Sequence, residues 1–377
     1  MTNLYLRTAL LVLLGTGGAG AQQEAQPVLP PKPVGGQKSR VVLIERPQAV
    51  QAFTVDGNAV RTMFSEALKT LTQQSSVPAA WKALGITPQD VVGIKITTEG
   101  GPRFSTKRAL VGTIVAGLRE AGVPASNIII WDKQRVTMER AQWPVHAGGT
   151  NSPATMAVLP DTRWNGQTFV NLETVGKLIY GDHLFKGKAT GRNPLDAVQR
   201  VMPDDEFRED LEPPDDQLSN KSFYADILAR RCTKIINVPV LSDSALTGLY
   251  ATMASLAVGS VDNHRRFTGR PHFGDPAIAE ILDQEVMRSK VVLHVLDALI
   301  AQYAGGPQFN PQFTKSIGAL YLSTDPVAID SLLVDMLNRW RRASQVDPMP
   351  PSNYIQTADK YGIGNAHPNN IELIRVE

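Results

Sequence analysis

Thirteen residues, Gly318–Asp330 (GALYLSTDPVAID), constrain the fold of this chain more than any other stretch. Ala319–Leu322 is a short apolar run. Ser323, Thr324 and Asp325 are all good N-cap residues, and Pro326 carries the fixed φ suited to a first helical position. Ile329, Leu332, Leu333, Met336, Leu337 and Trp340 then recur at helical spacing. A strand that feeds directly into a capped helix is the building unit of α/β folds, whose ligands gather at strand ends.

Similar apolar, β-branched runs recur at Val41–Ile44, Val91–Ile96, Ile128–Trp131, Lys234–Val238 and Val291–Leu296. They are near-continuous rather than alternating, as expected of strands covered on both faces. Amphipathic segments at Asn58–Leu71, Lys107–Ala121, Pro276–Arg288 and Pro326–Arg341 fall between them. This order predicts an α/β fold with a largely parallel, doubly wound sheet. Leu246–Ser260 is apolar but built of small residues, and reads as a buried helix approached closely by another backbone. The stretch from about 135 to 222 breaks the rhythm with Gly, Pro and an acid-rich run at 203–217, and reads as an irregular inserted lobe. The prolines in that run, and the absence of Asp-x-Asp-x-Asp-Gly spacing, favour a solvated loop over a calcium site.

The first 21 residues combine Arg7, an apolar run from Ala9 to Leu14 and an Ala19-Gly20-Ala21 ending, the pattern of a secretory signal peptide. The run is far shorter than the ~20 residues that span a bilayer, so no membrane span is expected in the mature chain. Residues 22–38, rich in Pro, Gln and Gly, read as a flexible linker, and 39–377 as a single α/β domain. The expected destination is the periplasm or the exterior, after cleavage near Ala21. A net charge of +2 gives no support for nucleic-acid binding. Cys232, the only cysteine, excludes an internal disulfide and a protein-ligated iron–sulfur cluster, and reads as a buried structural thiol.

Polar residues at the strand ends are the candidates for chemistry. Lys95 lies in VVGIKI and is followed by Thr97, Thr98 and Glu99; Asp132 follows IIIW; Asn237 and Asp243 lie in and after KIINVPVL; Asp297 follows VVLHVL; Ser323 and Asp325 follow GALYL. In a parallel sheet such ends share one edge. Lys95, Asp132 and Asp297 are the candidate catalytic groups, with an internal ion pair as the plainer alternative for Lys95. Asp325 serves equally as an N-cap, and Asp330, at the margin of its apolar stripe, requires a partner. Ser105 and Thr106 open a helix that could hold an anion, although the phosphate-loop spacing is absent. His272, with Arg265 and Arg266, lies in a loop that could close over an acidic ligand. None of the six histidines shows the His-x-x-x-His spacing of a helical zinc site, and no Gly-x-Ser-x-Gly elbow occurs.

VGIKI, AGVPASNIIIWDK, IINVPVLSD, AIAEI, LDALIAQYAGGP and LSTDPVAID occur in that order between about Val41 and Gly364. Together they resemble the exported proteins of domain of unknown function family 362. That resemblance implies an α/β fold, often an export signal, and in some relatives an association with iron–sulfur domains; it supplies no established reaction. Lys95, Asp132, Asp297, Asp325 and Asp330 match the family's pattern. Ser244 stands where it leads one to expect His, Ala254 and Ser255 where it leads one to expect Lys-Asn, and Thr268 where a further His is usual. Two readings follow. One is an enzyme-like exported protein that binds a small acidic ligand, a divalent metal, or both, at the strand-end crevice. The other is a non-catalytic binding or scaffold module whose strand-end charges form a structural network.

Overall fold

The apolar runs become the strands of one eight-stranded sheet, and the amphipathic segments cover it on both faces. The computed structural model describes residues 38–159, 169–173, 222–261, 264 and 267–377. The segment read as a signal peptide, nearly all of the one read as a linker, the acid-rich run, Arg265 and Arg266 lie outside the described residues. In chain order the elements are β1 (Ser39–Glu45), α1 (Gly57–Thr72), α2 (Val77–Ala83), β2 (Val92–Ile96), α3 (Arg108–Glu120), β3 (Ile128–Gln134), α4 (Arg135–Arg140) and β4 (Ala154–Leu159). There follow β5 (Lys234–Val238), β6 (Ser242–Ser244), β7 (Gly248–Tyr250), α5 (Thr252–Ser260), α6 (Ala277–Asp283), β8 (Val291–Gln302), β9 (Thr314–Ser323), α7 (Pro326–Ala343), α8 (Tyr354–Lys360) and β10 (Ile371–Val376). The sheet runs β10–β1–β9–β8–β5–β2–β3–β4.

Alternation along each strand divides the core. Ile128 and Ile130 face α1, α2 and α3, whereas Ile129 and Trp131 face α5, α6, α7 and α8. The stripe read on α1 is the one buried, through Val60, Met63, Phe64, Ala67, Leu68 and Leu71; Asp56 caps it by accepting from the Asn58 and Ala59 amides. Each such side chain, fully buried, stabilises the fold by roughly 1.5–3 kcal/mol.

Every neighbouring pair in the sheet is parallel except the two made by β9, which runs antiparallel to both β8 and β1. Only a single 3-10 turn, Pro311–Phe313, lies between β8 and β9, so the chain returns as a hairpin rather than a crossover. This corrects one expectation about the site: the end of β9 leads away from the edge where β2, β3 and β5 end. The segment read as an insertion also departs from expectation at its start. Ala154–Leu159 joins the main sheet as edge strand β4, and Phe169–Glu173 pairs with Phe223–Ala225. The helix expected over Pro276–Arg288 is interrupted at Gln284, whose backbone is extended, so that Glu285–Arg288 forms a separate turn. Among the described residues, no helix is long and apolar enough to cross a membrane.

Half of the small-residue segment is helix. Gly248–Tyr250 pairs with Ser242–Ser244 as a hairpin, and Thr252–Ser260 forms α5, buried along its whole length. Asp330 on α7 holds the start of α5, accepting from the amides of Thr252 (2.9 Å) and Met253 (3.0 Å). A carboxylate at that position satisfies two of the helix's orphan N–H groups and complements its dipole.

Candidate functional site

The far end of α5 rests on the ends of β2 and β3, and there the charged residues meet. Lys95 is completely buried; its Nζ lies 3.3 Å from Asp132 Oδ1 and donates to Ser255 Oγ of α5 at 3.0 Å. Ser255 Oγ also lies 2.8 Å from Thr97 Oγ1. Asp132 is fully used: Oδ1 accepts from the Lys133 amide at 2.8 Å, and Oδ2 from Thr98 Oγ1 at 2.6 Å. This is a buried ion pair whose carboxylate oxygens and ammonium each have further hydrogen bonds, the arrangement in which such a pair can be retained. Lys133 runs alongside, with Nζ 3.2 Å from the Val258 carbonyl and 2.6 Å from His264 Nδ1. Its position near the last carbonyls of α5 suits a cation.

The reason α5 is made of small residues is now evident. A Cβ on Gly259 would sit 2.5 Å from Lys95 Cε and 2.9 Å from Nζ. Gly259→Ala should therefore push Lys95 off Asp132. Overpacking costs about 1–3 kcal/mol and outweighs the ~1 kcal/mol by which Ala favours a helix, so a lowered unfolding midpoint is expected in denaturant titration.

One carboxyl in this cluster is not committed to the scaffold. Glu99, just past the end of β2, accepts from the Tyr250 hydroxyl at Oε1 (3.0 Å), while its Oε2 is enclosed and has no partner. Burial, and then the neighbouring Asp132, raise its pKa above the ordinary glutamate value against the opposing pull of Lys95. Glu99 is only half-buried as a residue, so it stands at the rim of the cluster, not at its floor. Asn237, the register neighbour of Lys95 on β5, likewise has an unpartnered Oδ1, although its Nδ2 donates to the Thr252 carbonyl and lies 3.1 Å from His294 Nδ1.

The structure brings Lys95 and Asp132 together but keeps Asp297 apart. Asp297 Oδ2 accepts from the Lys107 amide (2.8 Å) at the start of α3, on the opposite face of the sheet from α5. Ser105 and Thr106 are spent on backbone: Ser105 Oγ donates to the Gly101 carbonyl, and Thr106 Oγ1 donates to the Val238 carbonyl at 2.7 Å. Asp243 forms an ion pair with Arg341 (3.0 Å) and accepts from the Gly306 amide at 2.8 Å. Ser323 Oγ donates to the Arg40 carbonyl at 2.7 Å. Asp325 caps α7 through the Ala328 amide (3.0 Å) and also receives Ser39 Oγ and the Asn365 amide. Both lie where β9 leaves the sheet beside the start of β1, so neither joins Lys95. Asp330, as described, caps α5. His272 lies in a loop between Pro271 and Phe273, which with Arg270 and the 348–351 segment line a separate groove of about 640 Å³. Cys232 is buried, and burial pushes its thiol up to about 12.

Tyr250 and Lys133 are participants that reading the strand ends did not name, Ser255 was noted only for its departure from the resembled pattern, and Thr98 and Glu99 were named after Lys95 without a role. The flexible Gly100-Gly101 pair after Glu99 was the available signal. Gly100 forms an isolated bridge with Phe104, which turns the loop back and holds Glu99 beside the strand end. Ser255, one of the two positions where the resemblance leads one to expect Lys-Asn, is a residue of α5 that hydrogen-bonds Lys95.

Three comparisons bear on this arrangement. No curated protein matches the chain. A crystal structure of a Thermotoga maritima protein, a structural-genomics target, aligns with a TM-score of 0.38 and 9% identity, over 82% of this chain and 60% of that one. A family model described as Domain of unknown function (DUF362) matches residues 188–335. That span holds Tyr250 and Ser255 but not Lys95, Glu99 or Asp132. Through β5, the β6–β7 hairpin, α5, β8, β9 and the start of α7, the chain is thus similar to the DUF362 family.

Proposed function

We propose that this is an exported protein that holds a small acidic ligand at the crevice beside α5, with Glu99 as the group that meets it and the Lys95–Asp132 pair as its support. The observation that carries this reading is the enclosed, unpartnered Oε2 of Glu99. Leaving such a group unpaired costs about 1–3 kcal/mol, so a partner supplied from outside would recover energy that the fold alone forgoes. Lys95 offsets the committed carboxylate of Asp132, and the raised pKa of Glu99 favours its neutral form, so an acidic partner would meet an acid O–H there rather than a second negative charge. We place no divalent cation there. Lys95 already provides the positive charge beside Asp132, so this reading does not call on one. No reaction is assigned.

A second reading, a scaffold module with a purely structural charge network, is favoured by the complete burial of Lys95 and its contacts with Asp132 and Ser255. Native mass spectrometry of protein recovered from the exported fraction separates the two. The ligand reading predicts a mature chain starting near Gln22 that carries a small acid, and Glu99→Met losing that acid. A bare mature mass for the wild type, unchanged when lactate or tartrate is supplied, contradicts it.

A further inference from the structure

The hydrogen-bond pattern at Glu99 says more than that a ligand fits. Oε1 is occupied by the Tyr250 hydroxyl as donor, so a proton on this carboxyl belongs on Oε2, the enclosed oxygen that has no hydrogen-bond partner. Three titratable groups face this carboxyl: Lys95 from β2, Asp132 from β3 and Tyr250 from β7. Lys95 is held by Asp132 and Ser255, and the Tyr250 hydroxyl is already committed as a donor to Oε1. When Glu99 is protonated, what the cluster presents at Oε2 is a neutral O–H donor rather than a free cation. A phosphate dianion calls for several cations or backbone N–H groups, whereas a carboxylate is matched by a single acid O–H.

We propose that the ligand is a small carboxylate and that it enters together with a proton, Glu99 and the ligand's carboxylate sharing that proton through Oε2. The inference rests on the ligand reading given above. In the bound state the O–H of Glu99 is donated to a ligand oxygen. When Glu99 is ionised, two like charges meet, and solvent must supply one proton for the complex to form. Affinity then falls by up to about tenfold for each pH unit above the pKa of Glu99.

The test is calorimetric titration of the full mature chain with lactate and with tartrate, both fully ionised across the range used. Titrations at about pH 6 and about pH 8, in buffers of different ionisation enthalpy, give the number of protons taken up. The wild type is expected to bind more weakly at the higher pH, with net proton uptake. Glu99→Gln, whose amide N–H replaces the acid O–H, is expected to bind with an affinity that no longer changes with pH and with no uptake. Wild-type binding that is insensitive to pH, or uptake that persists in Glu99→Gln, overturns proton coupling and leaves the ligand reading standing. No binding of either probe at either pH overturns both.

Discussion

Lys95→Met is expected to lower the unfolding free energy by about 3–5 kcal/mol, the usual effect of leaving one member of a buried ion pair without its partner. The methionine keeps the stem that packs against Gly259 and removes only the charge. Asp132 would then be buried at 1% exposure with a full negative charge facing Ser255 and Glu99. The double variant Lys95→Met/Asp132→Asn should recover most of the loss, because the amide oxygen can still accept from Thr98 or the Lys133 amide and no net charge remains buried. Denaturant titration of both variants checks this. A Lys95→Met protein as stable as the wild type would show that the pair is solvated in solution.

The second large effect is on the pH dependence of stability, where two buried groups oppose one another. Burial lowers the pKa of His294 from 6.5 to about 3, and raises that of Asp330 from 3.8 to about 6. The stability His294 provides is present above pH 6.5 and is lost as pH falls toward 3, about 5 kcal/mol in all. Asp330 acts in the other direction. Its contribution is complete below pH 3.8 and is lost as pH rises through about 6, a change of about 3 kcal/mol. Burial also raises Glu99, Asp243, Asp297 and Asp325, which adds to the sign set by Asp330. The wild type should therefore gain stability on mild acidification, with His294 blunting the gain. His294→Gln keeps an acceptor for Asn237 and removes the opposing slope. Between about pH 6 and pH 4 the variant should gain roughly 1.4 kcal/mol per unit more than the wild type. Parallel profiles for the two proteins would mean that His294 titrates normally in the folded state.

Much of the architecture was legible because burial on both faces leaves a plain mark. The near-continuous runs became β1, β2, β3, β5 and β8, and the Ser-Thr-Asp-Pro junction became a capped helix start. The antiparallel course of β9 was not legible. The chain between Val291–Leu296 and Ala319–Leu322 is long enough for a helical crossover, and is instead used to extend β8 to Gln302 and to begin β9 at Thr314. Edge strands β4 and β10 were harder to see: Ala154–Leu159 is embedded in Gly and Pro, and Ile371–Val376 alternates with charge.

The candidate site was only half visible for a geometric reason. Lys95 and Asp297 both lie in apolar strands, but a one-residue change of register moves a side chain to the other face. Asp297 thus reaches α3 while Lys95 reaches α5. The capping roles of Asp297 and Asp330 are tertiary, made to helices 190 and 78 residues away in the chain, and no local pattern announces them. Asp325 caps the helix it begins, so its role could be read directly.

The most direct test of the ligand reading is Glu99→Met, measured for both stability and lactate binding. The variant loses the Tyr250 hydrogen bond, worth about 1 kcal/mol, and sheds an unpaired enclosed oxygen that costs about 1–3 kcal/mol. A chain as stable as the wild type, or slightly more so, that has lost the acid is the predicted result. A loss of 3–5 kcal/mol with binding intact, the scale expected for a broken buried pair, would place Glu99 in the structural network and contradict the account.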